Sequence, residues 1–367
     1  MFDLRRFFTA AALMLVAVAS NSLARADDLA LKSAKRAPDL PFFLLVDDRL
    51  TYAWMPKATD PGLFSVQPNG SINGTTAKQV YAFTHFDIWA YGTNFVSLSM
   101  FKSDHNDPAN PCVTNASGAI VSSVSGLPGS CAGMTEIYGL FRSTFGWNEI
   151  FNTKAFAIGP LHNISFEVGM DANTENSFLA NSKRAAVAGL QFAFDLPYKG
   201  YFNVAPLAYW EYSSRNAFAQ CNLFGPGIPY PAAGATCLAD GERSFDPTWS
   251  VEANYYMDLG FLPENMQFWS ISGRAAWQGP KGYEKNPVVS TPTVVTLNSE
   301  PIRLTFDASK ALWGPRYAHF VDLWVAYRYW QNKFGLDHNR SASCLFKGTS
   351  NNSCTEETVY AGVTMKF

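Results

Sequence analysis

The feature that most constrains this chain is a period of two. From Trp249, the residues Trp249, Val251, Ala253 and Tyr255 fall on one side, and Ser250, Glu252 and Asn254 on the other. After the turn chemistry of 260–264 the pattern resumes, with Trp269, Ile271, Gly273 and Ala275 against Phe268, Ser270, Ser272 and Arg274. It returns as Val321, Leu323, Val325, Tyr327 and Tyr329 against Asp322, Trp324 and Arg328. The last instance sets Val359, Ala361, Val363, Met365 and Phe367 against Thr358, Tyr360, Thr364 and Lys366. Alternate residues of a β-strand point to opposite faces, so each stretch reads as a strand with one apolar face. Weaker versions lie at 49–55, 80–89, 95–102, 135–144, 163–171, 185–195, 201–212 and 301–307. That makes about twelve segments of about 9 to 12 residues, the length a tilted strand needs to cross a bilayer.

Composition separates a membrane barrel from a soluble sandwich. Aromatic residues make up 15% of the chain and charged residues only 16%, where soluble domains carry about 25% charged. An all-β class is therefore expected, as a transmembrane antiparallel β-barrel of about twelve strands of the bacterial outer-membrane type. Arg5 and Arg6, the apolar run 7–19 and Ala24-Arg25-Ala26 form a secretory signal with cleavage before Asp27. The run is short for a retained helical anchor. The expected organisation is a signal at 1–26, a periplasmic lead-in at 27–48 and a barrel over 49–367, placed in the outer membrane after export. A net charge of −2 argues against nucleic acid as a partner, because a phosphate-binding surface needs a basic excess.

Six cysteines fall into three local pairs, Cys112 with Cys131, Cys221 with Cys237 and Cys344 with Cys354, each bracketing a Gly-, Pro-, Ser- or Asn-rich stretch. In an exported chain these read as disulfides, although six cysteines permit about 15 pairings. No tight Cys-x-x-Cys set suggests zinc, and the 104–107 run Asp-His-Asn-Asp reads as polar turn chemistry. Neither a metal nor a cofactor is expected. Short connections at 91–94, 195–200 and 259–265 alternate with long ones at 56–78, 103–133, 213–245, 278–298 and 331–355. With the N-terminus in the periplasm the long ones, cysteines included, fall outside the cell, and 145–161 is the one long periplasmic connection.

Several stretches resemble the nucleoside-specific channel-forming Tsx family, including the OmpK-like porins. They are His85-Phe86-Asp87-Ile88-Trp89-Ala90-Tyr91-Gly92-Thr93-Asn94-Phe95, where Gly92 and Asn94 are expected to take turn geometry, Leu196-Pro197-Tyr198-Lys199-Gly200, and Tyr327-Arg328-Tyr329-Trp330-Gln331-Asn332-Lys333-Phe334-Gly335. The order and spacing of these motifs carry the likeness across 49–367. The cysteine-bracketed loops depart from it. The resemblance implies a narrow barrel that passes nucleosides by facilitated diffusion.

Such a pore needs aromatic faces for a base and polar groups for base edges and ribose. Taking the polar side of each strand as lumenal gives Tyr81, Phe83, His85, Asp87, Glu136, Arg142, Glu252, Asn254, Phe268, Arg274, Arg303, Asp322, Trp324 and Arg328. Internal salt bridges are the plainer role for the charged ones. No Gly-x-Ser-x-Gly elbow is present, so a hydrolase is not expected. The expected partners are the lipid bilayer, small solutes such as nucleosides, and the barrel-assembly machinery through the strand ending at Phe367. A general porin or a non-conducting surface-binding barrel are the alternatives.

Overall fold

Alternation becomes strand pairing throughout. The computed structural model describes residues 42–66, 71–103, 107–108, 112–114, 120–122, 133–176, 182–212, 214–215, 242–284 and 291–367. Twelve long strands run through them: β1 (Phe43–Ala58), β2 (Thr76–Trp89), β3 (Gly92–Ser103), β4 (Thr135–Gly146), β5 (Leu161–Glu175), β6 (Ser182–Leu196), β7 (Gly200–Glu211), β8 (Thr248–Asp258), β9 (Trp269–Gln278), β10 (Thr296–Asp307), β11 (Val321–Gln331) and β12 (Glu356–Lys366). Each pairs antiparallel with its neighbours in sequence, and β12 pairs with β1, Arg49 opposite Lys366 and Trp54 opposite Ala361. Every long strand thus has two partners and the sheet closes on itself, which leaves no strand edge to satisfy. Among the described residues no helix is long and apolar enough to cross a membrane.

The two faces differ over most of the sheet. Leu50, Tyr52, Trp54, Leu98, Met100, Phe166, Met170, Leu323, Val325 and Val359 are exposed on the outside. Alternating with them inside are buried Lys78, Glu167, Asp171, Glu211, Ser250, Glu300, Arg328 and Thr364. An exposed apolar wall around a polar interior is the inverse of a water-soluble protein. In lipid, each large side chain of that wall is removed from water, worth roughly 1.5–3 kcal/mol apiece.

Connections sort by end. One end carries the turns at 90–91 and 197–199, the segments 259–268 and 308–320, and the connection 147–160, which folds a single turn of helix, α1 (Trp147–Ile150), with Trp147 edge-on to Phe156. The other end carries the long connections, where the short ladders at Ser65–Val66, Cys112–Thr114 and Leu345–Phe346 lie. There Cys344 is bonded to Cys354, as expected. The other two cysteine pairs fall outside the described side chains.

Two expectations are corrected. The lead-in was drawn to residue 48, yet β1 begins at Phe43 and already pairs with Trp89. The run Phe42-Phe43-Leu44-Leu45-Val46 is apolar at every position, and the register slips between Phe43 and Leu45, so no alternation marks this strand start. Residues 1–41, including the expected signal, lie outside the described residues. The second correction concerns Gly92 and Asn94. Neither has a positive φ, and both are strand residues. Gly92 is required for close approach, because a Cβ there would collide with the Thr144 carbonyl oxygen. The Pro197–Gly200 turn instead uses Tyr198 and Lys199 at φ of 56° and 59°, the left-handed pair of a type I′ hairpin.

Candidate functional site

The barrel interior is a set of linked ion pairs. At its centre Arg142 of β4 makes a two-pronged bond to Glu252 of β8, Nε to Oε2 at 3.0 Å and Nη2 to Oε1 at 2.7 Å. These strands stand four places apart around the wall, so the pair reaches through the interior and not along the sheet. Arg142 also donates from Nη1 to Asp171 at 2.7 Å, and Glu167 approaches Nε at 3.8 Å. Gln191 donates to Glu167 at 2.9 Å, and Lys183 lies 3.8 Å from Asp171. One guanidinium therefore organises three carboxylates. A fork of five fixed donors suits this task, where a lysine would present a point charge.

Beside it, Arg303 bonds Glu300 at 2.8 Å and lies 3.9 Å over the Trp324 ring. Tyr360 donates to Glu300 and meets Trp324 edge-on. Toward the long-loop end, Lys78 binds Asp60 at 2.9 Å and Glu136 at 3.5 Å. Glu356 there gathers Arg328 at 2.5 Å, Lys333 at 3.0 Å and the Thr59 amide at 2.9 Å. Breaking one partner of such a buried pair strands the other, at a cost of roughly 3–5 kcal/mol.

At the short-turn end, Asp307, His319 and Asp322 place ligand-type atoms within 4.8 Å of one another. Their hydrogen bonds are already committed. Asp307 caps α2 (Ala308–Trp313) by accepting from the Lys310 amide, and its other oxygen accepts from the His319 amide. His319 Nδ1 faces Asp322 at 3.1 Å. This is a latch that closes the β10–β11 connection, and the Asp322 carboxylate holds the His319 imidazole above its ordinary pKa.

Most expected lumen residues do face inward: Glu136, Arg142, Glu252, Asn254, Arg274, Arg303, Asp322, Trp324 and Arg328, by their phase with buried Lys78, Ser250, Ser270 and Thr364 and by their partners. Five residues differ. Tyr81, Phe83, His85 and Asp87 share the phase of the outer wall: Tyr81 lies opposite exposed Tyr52, and Phe83 opposite exposed Leu50. In β2 both faces mix polar and apolar residues, so polarity alone does not orient the strand. Phe268 precedes β9, in the connection, with its ring edge-on to Phe306. Trp324 does face inward, but Arg303 and Tyr360 occupy its ring. The sequence reading missed Lys78, Glu167, Asp171, Lys183, Glu300 and Tyr360. A signal for several of them was present: Asn163, Ser165, Glu167, Asp171, Asn173 and Glu175 are all polar and all in one phase.

With this geometry in place, likeness to known proteins adds little. No family model matches the chain, and no curated protein does. Solved structures resemble it remotely. They include the TodX deltaS2S3 mutant monoaromatic hydrocarbon channel, at 7% identity and a TM-score of 0.36 over 88% of this chain and 90% of that one. The translocator domain of the autotransporter NalP from Neisseria meningitidis gives 9%, 0.33, 88% and 87%. A BenF-like porin from Pseudomonas fluorescens Pf-5 gives 8%, 0.28, 89% and 100%. The barrel assignment rests on the chain's own closed pairing.

Proposed function

We propose that this protein is a bacterial outer-membrane channel for passive diffusion of small hydrophilic solutes, with nucleosides as the favoured class. In this reading the short turns lie in the periplasm and the long loops outside, and export precedes insertion. The assembly machinery would engage the terminal strand, whose last residue Phe367 is exposed on the outer wall. The observation that carries the channel reading is the Arg142–Glu252 pair: ionised groups from opposed parts of the wall meet inside a closed barrel. A charged, hydrogen-bonded interior suits water-borne solutes.

Two features support nucleosides in particular. One is the resemblance in the hairpin and penultimate-strand motifs. The other is an inward group at the short-turn end, where the Tyr201 and Tyr256 rings stack at 6.1 Å and Asn203 bonds Asn254 at 3.2 Å. Phenol faces beside amides match a base with hydrogen-bonding edges. Stacking of about 1–3 kcal/mol per base is weak enough to permit release. Liposome swelling tests the reading. Adenosine should enter faster than a disaccharide of similar size, and Tyr256→Ala should remove the difference. Equal rates would leave a general porin.

A second reading has its own support. Ala53, Met55, Ala58, Val80, Trp324, Ala326 and Tyr360 form a packed inward cluster, which favours a barrel closed along that side whose outer loops bind a partner.

A further inference from the structure

Toward the short-turn end the apolar outer wall carries a connected row of polar side chains. Asp48, His85, Asp87, Asn94 and Ser143 are in phase with the exposed Leu50, Tyr81, Leu98 and Ile137 of their own strands, with no register slip between them. They therefore point away from the interior. They bond in a row across four strands: Asp48 Oδ1 to His85 Nδ1 at 2.7 Å, and His85 Nε2 to Asp87 Oδ2 at 3.1 Å. Asn94 then donates to Asp87 Oδ1 at 2.9 Å, and Ser143 to Asn94 Oδ1 at 2.7 Å. Other outward positions toward this end include Phe202, Ile271, Leu304 and Val363, and the exposed His162–Asp195 pair lies at the strand ends.

Two carboxylates share one imidazole, so the row carries net negative charge on a wall that otherwise meets lipid. Charged groups in such positions are costly unless something polar covers them. Asp87 is enclosed, but the Asp48 and His85 side chains are 26% and 28% exposed, and the Asp48 carboxylate makes no further hydrogen bond among the described residues. Depth narrows the occupant. His85 and Asp87 lie a few residues before the Trp89–Gly92 hairpin, about 5–10 Å along a tilted strand, at the level of lipid headgroups. Aromatic rings frame the row: Trp89 stacks with Phe42 at 6.0 Å and meets Phe145 edge-on. The Trp89 indole N–H is buried among these rings and has no hydrogen-bond partner among the described residues.

We propose that this row binds the headgroup of an aminophospholipid in the leaflet at the short-turn end. The Asp48 carboxylate, whose side chain is partly exposed at the end of the row, accepts from the primary ammonium. A second copy of the chain fits less well. The outward basic residues Lys102 and Arg184 stand near the long-loop ends of their strands, so a copy inserted in the same sense cannot bring them to this level. The proposal rests on the membrane-spanning reading and not on conduction.

Native mass spectrometry of the full chain in detergent tests it, with phosphatidylethanolamine, phosphatidylcholine and phosphatidylglycerol of matched acyl chains in equal amounts. The ethanolamine lipid should be retained several-fold over the choline lipid, whose quaternary nitrogen has no N–H to donate, and over the glycerol lipid. Asp48→Asn combined with Asp87→Asn should abolish that preference while leaving channel conductance unchanged. If the double variant fails the heat-modifiability test of folding, Asp48→Asn alone, at the exposed edge, should lower retention. Equal retention of all three lipids would overturn the proposal, as would a preference that survives substitution at Asp48. An oligomer that Asp48→Asn dissociates would overturn it too, by showing that a second copy covers the row.

Discussion

Arg142 concentrates the electrostatics of the interior in one side chain. It faces Glu167, Asp171 and Glu252, so its removal leaves three carboxylates of which, among the described residues, Asp171 keeps an ion pair with Lys183. Arg142→Gln is expected to shift the reversal potential in a salt gradient strongly toward cations and to lower stability by roughly 3–5 kcal/mol. An unchanged reversal potential would mean that ions do not pass this point. His319 gives a pH signature outside the strands. Its bond to Asp322 raises its pKa, so the protonated pair contributes stability fully below the ordinary histidine value of about 6.5 and loses it as pH rises through the raised folded value. The melting difference between the wild type and His319→Gln should therefore be largest in mild acid and shrink above neutrality. Residue by residue, the charged inward positions were legible wherever a strand had one plainly apolar side. Tyr81 to Asp87 were not, because phase gives two faces without saying which is inner, and the packing of Lys78 and Val80 decides it.

At the scale of elements, the strands were legible because crossing a membrane demands length and alternation together. Their starts were less so where lipid tolerates unbroken apolar runs, as at Phe42 to Val46. The β2–β3 hairpin shows a motif read correctly for the wrong reason. Gly92 matters through the space Thr144 leaves for it, and that neighbour sits on β4, far along the chain. Gly92→Ala should push β3 from β4 and reduce the yield of heat-modifiable barrel on refolding, whereas Gly159→Ala, which meets no atoms, should cost less despite its positive φ. Comparing the two refolding yields on unboiled gels checks this. The loop from Asn332 to Cys354 is built differently. Asn332 and Phe334 adopt left-handed geometry, Lys333 reaches Glu356 and the Thr59 carbonyl, and the disulfide closes the remainder. Only the cysteines announced that structure, since the other contacts join positions far apart in sequence.

For the whole molecule, closure follows from pairing β1 with β12, and it makes one face of every long strand an interior. Long connections then gather at one end because strands alternate in direction, which the lengths of the turn-rich segments already implied. The identity of the solute is less legible. It depends on which side chains remain open once the ion pairs and the Trp324 cluster are formed, and many of these contacts join residues far apart in sequence. The central claim, a closed barrel with a charged interior open to ions, is tested most directly by planar-bilayer recording of the refolded full chain in a salt gradient. The account predicts discrete conductance steps with a cation-favouring reversal potential, set by the carboxylates around Arg142. A heat-modifiable barrel that inserts and carries no current would contradict it.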